Sequence, residues 1–186
     1  MRKNQVILIH GWPATGKYTL GKLLEKDGGF LLDNHFFHDL FLHKVELCDE
    51  NRDEYYGAVG HLKQQYIDIL RKFYPKKSFV RYIFTSVMLK NETLLERLEN
   101  FAGDIKADFI PIELTASKEV LQKRCQSENR KIRHKISNPD NMKKFLLKYK
   151  DLLPDYVHPN KISIDVSDLT IQKTFNLIKK HLNKFE

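Results

Sequence analysis

Short apolar runs bounded by turn residues alternate, along this chain, with longer stretches in which apolar residues recur every three or four positions. The short runs predict buried strands over 5–9, 30–32, 79–84, 109–114 and 161–166. The longer stretches predict helices over 17–26, 36–47, 53–73, 91–102, 118–127, 139–150 and 169–182. In the third of these, Val59, Leu62, Tyr66, Ile69 and Phe73 make one amphipathic core face. Strands alternating with helices of these lengths build βαβ units, and so a parallel sheet covered on both faces. No repeat, low-complexity tract or linker divides the chain, and residues 1–186 are expected to form one α/β domain.

Composition narrows the setting. A hydrophobic content of 41% argues against disorder. No apolar run approaches the ~18 residues of a membrane span, and the run near the N-terminus is too short for a secretory core. Cys48 and Cys125 lie far apart without C-x-x-C or zinc spacing, so neither a disulfide framework nor a structural metal site is indicated. A cytoplasmic protein with no membrane partner is the expectation. Net charge is +8, and its location matters more than its sum. Residues 118–150 hold eleven Lys/Arg and three Asp/Glu, while the rest of the chain balances at 21 of each sign. A single basic segment calls for a single local explanation.

The most specific motif follows the first strand. Gly11-Trp12-Pro13-Ala14-Thr15-Gly16-Lys17-Tyr18-Thr19 matches the phosphate-binding pattern G-x-x-x-x-G-K and has Tyr where Ser or Thr completes it. Strand, loop and helix come in the required order. Glycines let the backbone curl so that successive N–H groups face one anion, the helix N-terminus adds partial positive charge, and Lys17 reaches the β/γ-phosphates. Tyr18 changes the metal chemistry. A short hydroxyl at that position contacts Mg²⁺, and a phenol oxygen is carried several bonds too far out to do so. Thr19 is rotated about 100° along the helix. Mg²⁺ is therefore expected on the nucleotide, with water and a carboxylate such as Asp33, or the Thr19 hydroxyl, as its protein contacts.

Ligands of such sheets collect at the carboxyl ends of the strands. The second strand ends Leu32-Asp33-Asn34-His35, which makes Asp33 the candidate base and places His35 beside it. Asn34 reads as a cap for the next helix. The third strand ends Thr85-Ser86, two hydroxyls suited to a water, a Mg²⁺ shell or a substrate, or to capping the helix that follows. It has no terminal Asp, so no second acidic metal site is available. His35, His38, Asp39 and His43 have helical spacings that suit a metal, but nothing else completes a shell.

A phosphate loop on the first strand, an acidic residue ending the second and an arginine-rich stretch after the fourth resemble the small P-loop kinases, the nucleoside-monophosphate, shikimate, gluconate and chloramphenicol kinase group. The resemblance spans nearly the whole chain. It implies a P-loop three-layer α/β/α sandwich with a five-stranded parallel sheet and a mobile lid over 124–138. Ile112-Glu113-Leu114-Thr115-Ala116-Ser117-Lys118-Glu119-Val120-Leu121-Gln122-Lys123-Arg124 looks like that group's strand, turn and helix ending in an arginine that packs on adenine. Arg130 and Arg133 fall where the lid presents arginines to the transferred phosphate, and Asn138-Pro139 would restart a helix. Arginine's planar fork suits phosphate oxygens, whereas Lys143, Lys144, Lys148 and Lys150 read as a solvated helix face.

The resemblance implies an ATP-dependent phosphotransferase acting on a hydroxyl or phosphate of a small molecule, with ATP and Mg²⁺. Asp33 corresponds to the acidic residue that orients or deprotonates the acceptor. Residues 34–75 would form the acceptor region, where His35 and Arg52, near Tyr55 and Tyr56, are candidate substrate contacts. The alternatives are a nucleotide-binding interaction protein and a kinase of nucleic-acid ends. The latter needs a basic stripe from lid to acceptor cleft, which residues 34–75 do not carry.

Overall fold

Val6, Ile7, Leu8 and Ile9 are wholly buried because β1 (Asn4–Gly11) runs through the middle of a five-stranded sheet and is covered on both faces. The structure, a computed structural model, describes residues 3–41, 44–48, 50–76, 78–87, 93–132, 135–150 and 156–185. β1 pairs in parallel with β3 (Arg81–Ser86) on one side and β4 (Ala107–Thr115) on the other. β2 (Phe30–Leu32) and β5 (Ile162–Asp165) complete the order β2-β3-β1-β4-β5, again in parallel. The chain steps past β3 to reach β2 and later crosses β1 to reach β4. That reversal opens a crevice at the carboxyl end of β1, where such sheets take their ligands.

Alternation along β1 sends its side chains to opposite layers. Val6 and Leu8 pack with Ile67 of α3 (Arg52–Phe73) and with Leu98 and Phe101 of α4 (Leu94–Asp104). Ile7 and Ile9 pack with Leu20 and Leu24 of α1 (Lys17–Lys26) and with Ile178 and Leu182 of α8 (Ile171–Leu182). Full burial of each such side chain stabilises by about 1.5–3 kcal/mol. A third, smaller core joins α5 (Lys118–Cys125) to α7 (Pro139–Lys148) through Leu121, Cys125, Met142 and Leu146, and Trp12 packs against it. Pro139 starts α7, and Asn138 Oδ1 accepts the Asp140 and Asn141 N–H groups at 2.8 and 3.1 Å.

Several boundaries differ from the sequence expectation. The helix expected over 36–47 is α2 (Asn34–Asp39), two residues early and far shorter. Its first N–H is taken by a side chain from β3, and beyond Leu40 the Asn51 side chain holds the chain in turns by accepting from Cys48 N and donating to Glu46 O. Asn34 is thus the first residue of α2 rather than its cap, and its Oδ1 accepts from Lys63 Nζ at 2.5 Å. β3 begins at Arg81, two residues late, and continues to Ser86 because the ladder with β1 extends to His10. Arg81 is buried there, donating to Gln5 at 2.7 Å and to Asp27 at 3.1 Å. The helix expected over 118–127 ends at Cys125, and a separate turn of helix, α6 (Glu128–Ile132), follows. Of the helix expected over 91–102, residues 91 and 92 lie outside the described residues. No helix among the described residues is long and apolar enough to cross a membrane.

Candidate functional site

The loop after β1 takes its shape from three positive φ angles, at Gly11 (137°), Ala14 (68°) and Gly16 (96°). Gly11 is required twice over, since a Cβ there would lie 2.1 Å from the Leu114 carbonyl oxygen of β4. Thr15 Oγ1 donates back to Trp12 O at 2.9 Å, closing the turn. Gly16 stands at the N-cap of α1 with no side-chain cap, so the first N–H groups of α1 point toward the loop's mouth. Pro13 is buried, and the Trp12 ring meets Phe145 edge-on at 6.1 Å, so Trp12 offers the site its main chain only.

Lys17 folds over this loop and donates to Gly11 O and Trp12 O, both at 2.7 Å. Its pKa is lowered to about 7, first by desolvation and then by Arg130 and Lys135, with Asp33 opposing. Asp33 is buried at the end of β2. Its Oδ1 accepts from Thr85 Oγ1 at 2.5 Å, and the same hydroxyl accepts the Asn34 N–H at 3.1 Å. Asp33 Oδ2 faces Lys135 Nζ at 3.8 Å. Lys135 Nζ also lies 4.9 Å from the centre of the Tyr18 ring. Arg130 is half-buried, and burial lowers its pKa from the ordinary guanidinium value. Its Nε donates to Ile136 O at 2.9 Å, while Lys135 N donates to Arg130 O at 3.0 Å. The two cations therefore come from one closed turn of the basic segment. Arg130, Lys135 and Asp33 all lie close enough to Lys17 to act on its charge, and Lys135 faces Asp33, so basic groups outnumber the carboxylate here, an excess that suits a polyanion.

On the other side of the loop, a pocket of about 220 Å³ is lined by Ala14, Thr15, Thr19, Arg124, Val166 and Ile171 among others. Arg124 reaches it from α5 and is pinned by donating to Val166 O at 2.8 Å. Thr19 thus lines this pocket. Across the site, His38 Nδ1 lies 3.1 Å from the Tyr55 phenol oxygen, and its ring also meets those of His35 and Tyr56. Burial first, then Lys63, lowers the His38 pKa to about 4. His35 lies in the first turn of α2 beside Asp33, and Arg52 is exposed at the start of α3.

Most of the residues singled out in the sequence converge on the loop's two sides: Lys17, Tyr18, Asp33 and Arg130 on one, Thr19 and Arg124 on the other. Arg133 lies outside the described residues, as does His43. Sequence reading missed Lys135, one of eight lysines in the basic segment, with no local pattern to distinguish it. It also did not foresee the partners of Thr85, which holds Asp33 and the start of α2.

No family model and no curated protein matches the chain by sequence. Among solved structures, a candidate kinase from Chloroflexus aurantiacus is 19% identical with a TM-score of 0.66, covering all of both chains. A sugar kinase from Janibacter sp. is 16% identical with a TM-score of 0.62, covering 97% of this chain and 95% of its own. A gluconokinase from Sinorhizobium meliloti is 15% identical with a TM-score of 0.58, covering 99% and 94%. The chain has the fold of the small P-loop kinases.

Proposed function

We propose that this protein is an ATP-dependent phosphotransferase that moves the γ-phosphoryl group to a hydroxyl or phosphate of a small molecule. The observation that carries the reading is the gathering of Arg130, Lys135 and Asp33 close to Lys17 at the phosphate loop, with Lys135 facing Asp33. Phosphoryl transfer needs in-line positioning and neutralisation of charge more than covalent chemistry. A protein that only bound nucleotide would not need a carboxylate at that mouth.

In this reading the adenosine lies in the pocket beside Arg124, Val166 and Ile171, with Thr19 on its wall. The phosphates lie along Gly11 to Lys17, and Lys17 exchanges its main-chain partners for phosphate oxygens. The acceptor enters from the side of α2 and α3, where His35 and Arg52 are its proposed contacts. Its oxygen attacks the γ-phosphorus in line, the bond to the bridging β-oxygen breaks, and ADP leaves with that electron pair. The proton of an acceptor hydroxyl passes to Asp33 Oδ2, while Thr85 holds Oδ1 and so fixes the carboxylate's orientation. Arg130, joined by Arg133 in this proposal, neutralises charge on the moving group.

Mg²⁺ assists such chemistry by neutralising phosphate charge when bound. The described residues do not fit a loop-bound ion: the Tyr18 ring faces Lys135, Thr19 faces the adenosine pocket, and both Asp33 oxygens are engaged. The ion is assigned to the nucleotide's own phosphates. An ATP-consumption screen across nucleosides, nucleotides, sugar acids, shikimate-like acids and phenicol or aminoglycoside antibiotics, run with wild type and Lys17→Ala, tests the proposal. One acceptor should consume ATP with wild type alone. ATP binding without any acceptor-stimulated turnover would favour an interaction protein instead.

A further inference from the structure

Tyr18 occupies the position where a phosphate loop ordinarily offers a short hydroxyl, and its ring face is turned to the ammonium of Lys135. That ammonium is shared by two groups: Lys135 Nζ lies 3.8 Å from Asp33 Oδ2 and 4.9 Å from the centre of the Tyr18 ring, and the Lys135 side chain is 12% exposed.

A lysine on a flexible four-carbon stem is a point charge without fixed direction, so its placement depends on what surrounds it. Here the surroundings come from three separate parts of the chain. Tyr18 is in the first turn of α1, Asp33 ends β2, and the turn that carries Lys135 is closed by its own N–H to Arg130 O at 3.0 Å. Lys135 is also close enough to Lys17 to depress its protonation. The ammonium therefore stands between the loop that takes the phosphates and the carboxylate at the acceptor side.

We infer that Lys135 is a γ-phosphate contact, and that Tyr18 is the positioning residue that seats it, in place of a metal-holding loop hydroxyl. This rests on the proposed kinase reading and deepens it. When a triphosphate enters, the Lys135 ammonium turns from Asp33 Oδ2 to a terminal phosphate oxygen, which releases that oxygen of Asp33 to the acceptor. The Tyr18 ring keeps the ammonium over the loop throughout, since a cation is held by an aromatic face without a directed hydrogen bond.

The test compares ATP with ADP, because only ATP carries the terminal phosphate. Calorimetric titration of each nucleotide into the intact protein, at one fixed Mg²⁺ concentration, gives the two affinities. Lys135→Ala and Lys135→Met should weaken ATP about tenfold, as for one lost charge-assisted contact, and ADP less than about twofold. Tyr18→Leu should lose most of the same ATP preference, and Tyr18→Phe, which keeps the ring, should lose less. The Tyr18→Leu, Lys135→Ala double variant should be little worse than Lys135→Ala alone. Melting curves identify any variant that fails to fold, and Lys135→Met keeps the apolar stem for that reason. Equal losses for ATP and ADP, or none, would overturn the inference while leaving the kinase reading intact. A wild-type protein that binds neither nucleotide would overturn both.

Discussion

Thr85 Oγ1 donates to Asp33 Oδ1 across 2.5 Å and accepts the Asn34 N–H at 3.1 Å, so one hydroxyl of β3 fixes both the carboxylate ending β2 and the start of α2. Removing that hydroxyl should loosen the carboxylate without touching the nucleotide. Thr85→Val is expected to lower turnover about tenfold at unchanged ATP affinity. Asp33→Asn, which removes the charge itself, is expected to lower it by roughly 10²–10⁴, the range of a lost general base. Single-turnover transfer at saturating ATP, with the acceptor found by the screen, measures both. Unchanged rates in Asp33→Asn would remove the base assignment.

Nucleotide affinity should depend on pH through Lys17. Its pKa in the folded protein is about 7 against an ordinary 10.5, owing first to desolvation and then to Arg130 and Lys135. Above pH 7 the folded protein without nucleotide therefore carries Lys17 neutral, while the unfolded chain keeps it charged up to about 10.5. Across that window the unfolded chain binds more protons, so this group makes stability rise with pH. A polyphosphate favours the charged lysine. ATP binding should take up a proton above pH 7, and affinity should fall with rising pH by up to about tenfold per unit. Calorimetry in buffers of different ionisation enthalpy reads the proton directly, and Lys17→Met should abolish the uptake.

Acid should destabilise the fold through two buried imidazoles. His10 and His38 both have pKa values lowered to about 4 from 6.5, in each case chiefly by burial. Glu113 opposes the shift at His10, and Asp33 opposes it at His38. As pH falls from 6.5 toward 4 the unfolded chain protonates these groups and the folded one does not, so stability is lost over that window. Each contributes a slope of up to about 1.4 kcal/mol per pH unit. Urea unfolding between pH 4 and 7 should show that slope, and His10→Gln should reduce it by about half if the two act alike.

Gly11→Ala should destabilise the protein by about 3 kcal/mol or more, because the new Cβ would meet the Leu114 carbonyl oxygen at 2.1 Å and φ is 137°. Gly57→Ala is the control, since nothing lies within 4 Å of its Cβ position in the second turn of α3. It should be neutral or slightly stabilising. Chemical denaturation of both variants decides.

What the sequence alone determined is whatever neighbours in the chain can encode. The run Val6 to Ile9, the glycines at 11 and 16 and the periodicity of Leu20, Leu23 and Leu24 announce strand, loop and helix, because hydrogen bonding and burial period act over a few residues. The alternation of such units also announced a parallel sheet. The early start of α2 was not legible, since it depends on Thr85, fifty-one residues from Asn34. Lys135 was not legible either: its meeting with Tyr18 and Asp33 requires the β2-β3-β1 strand order and the turn after α6 to be in place. The same holds for Leu114 behind Gly11, a contact made by the β1–β4 register. Local pattern specifies elements, whereas the order of strands in the sheet decides which strand ends, and therefore which charges, come to share one crevice.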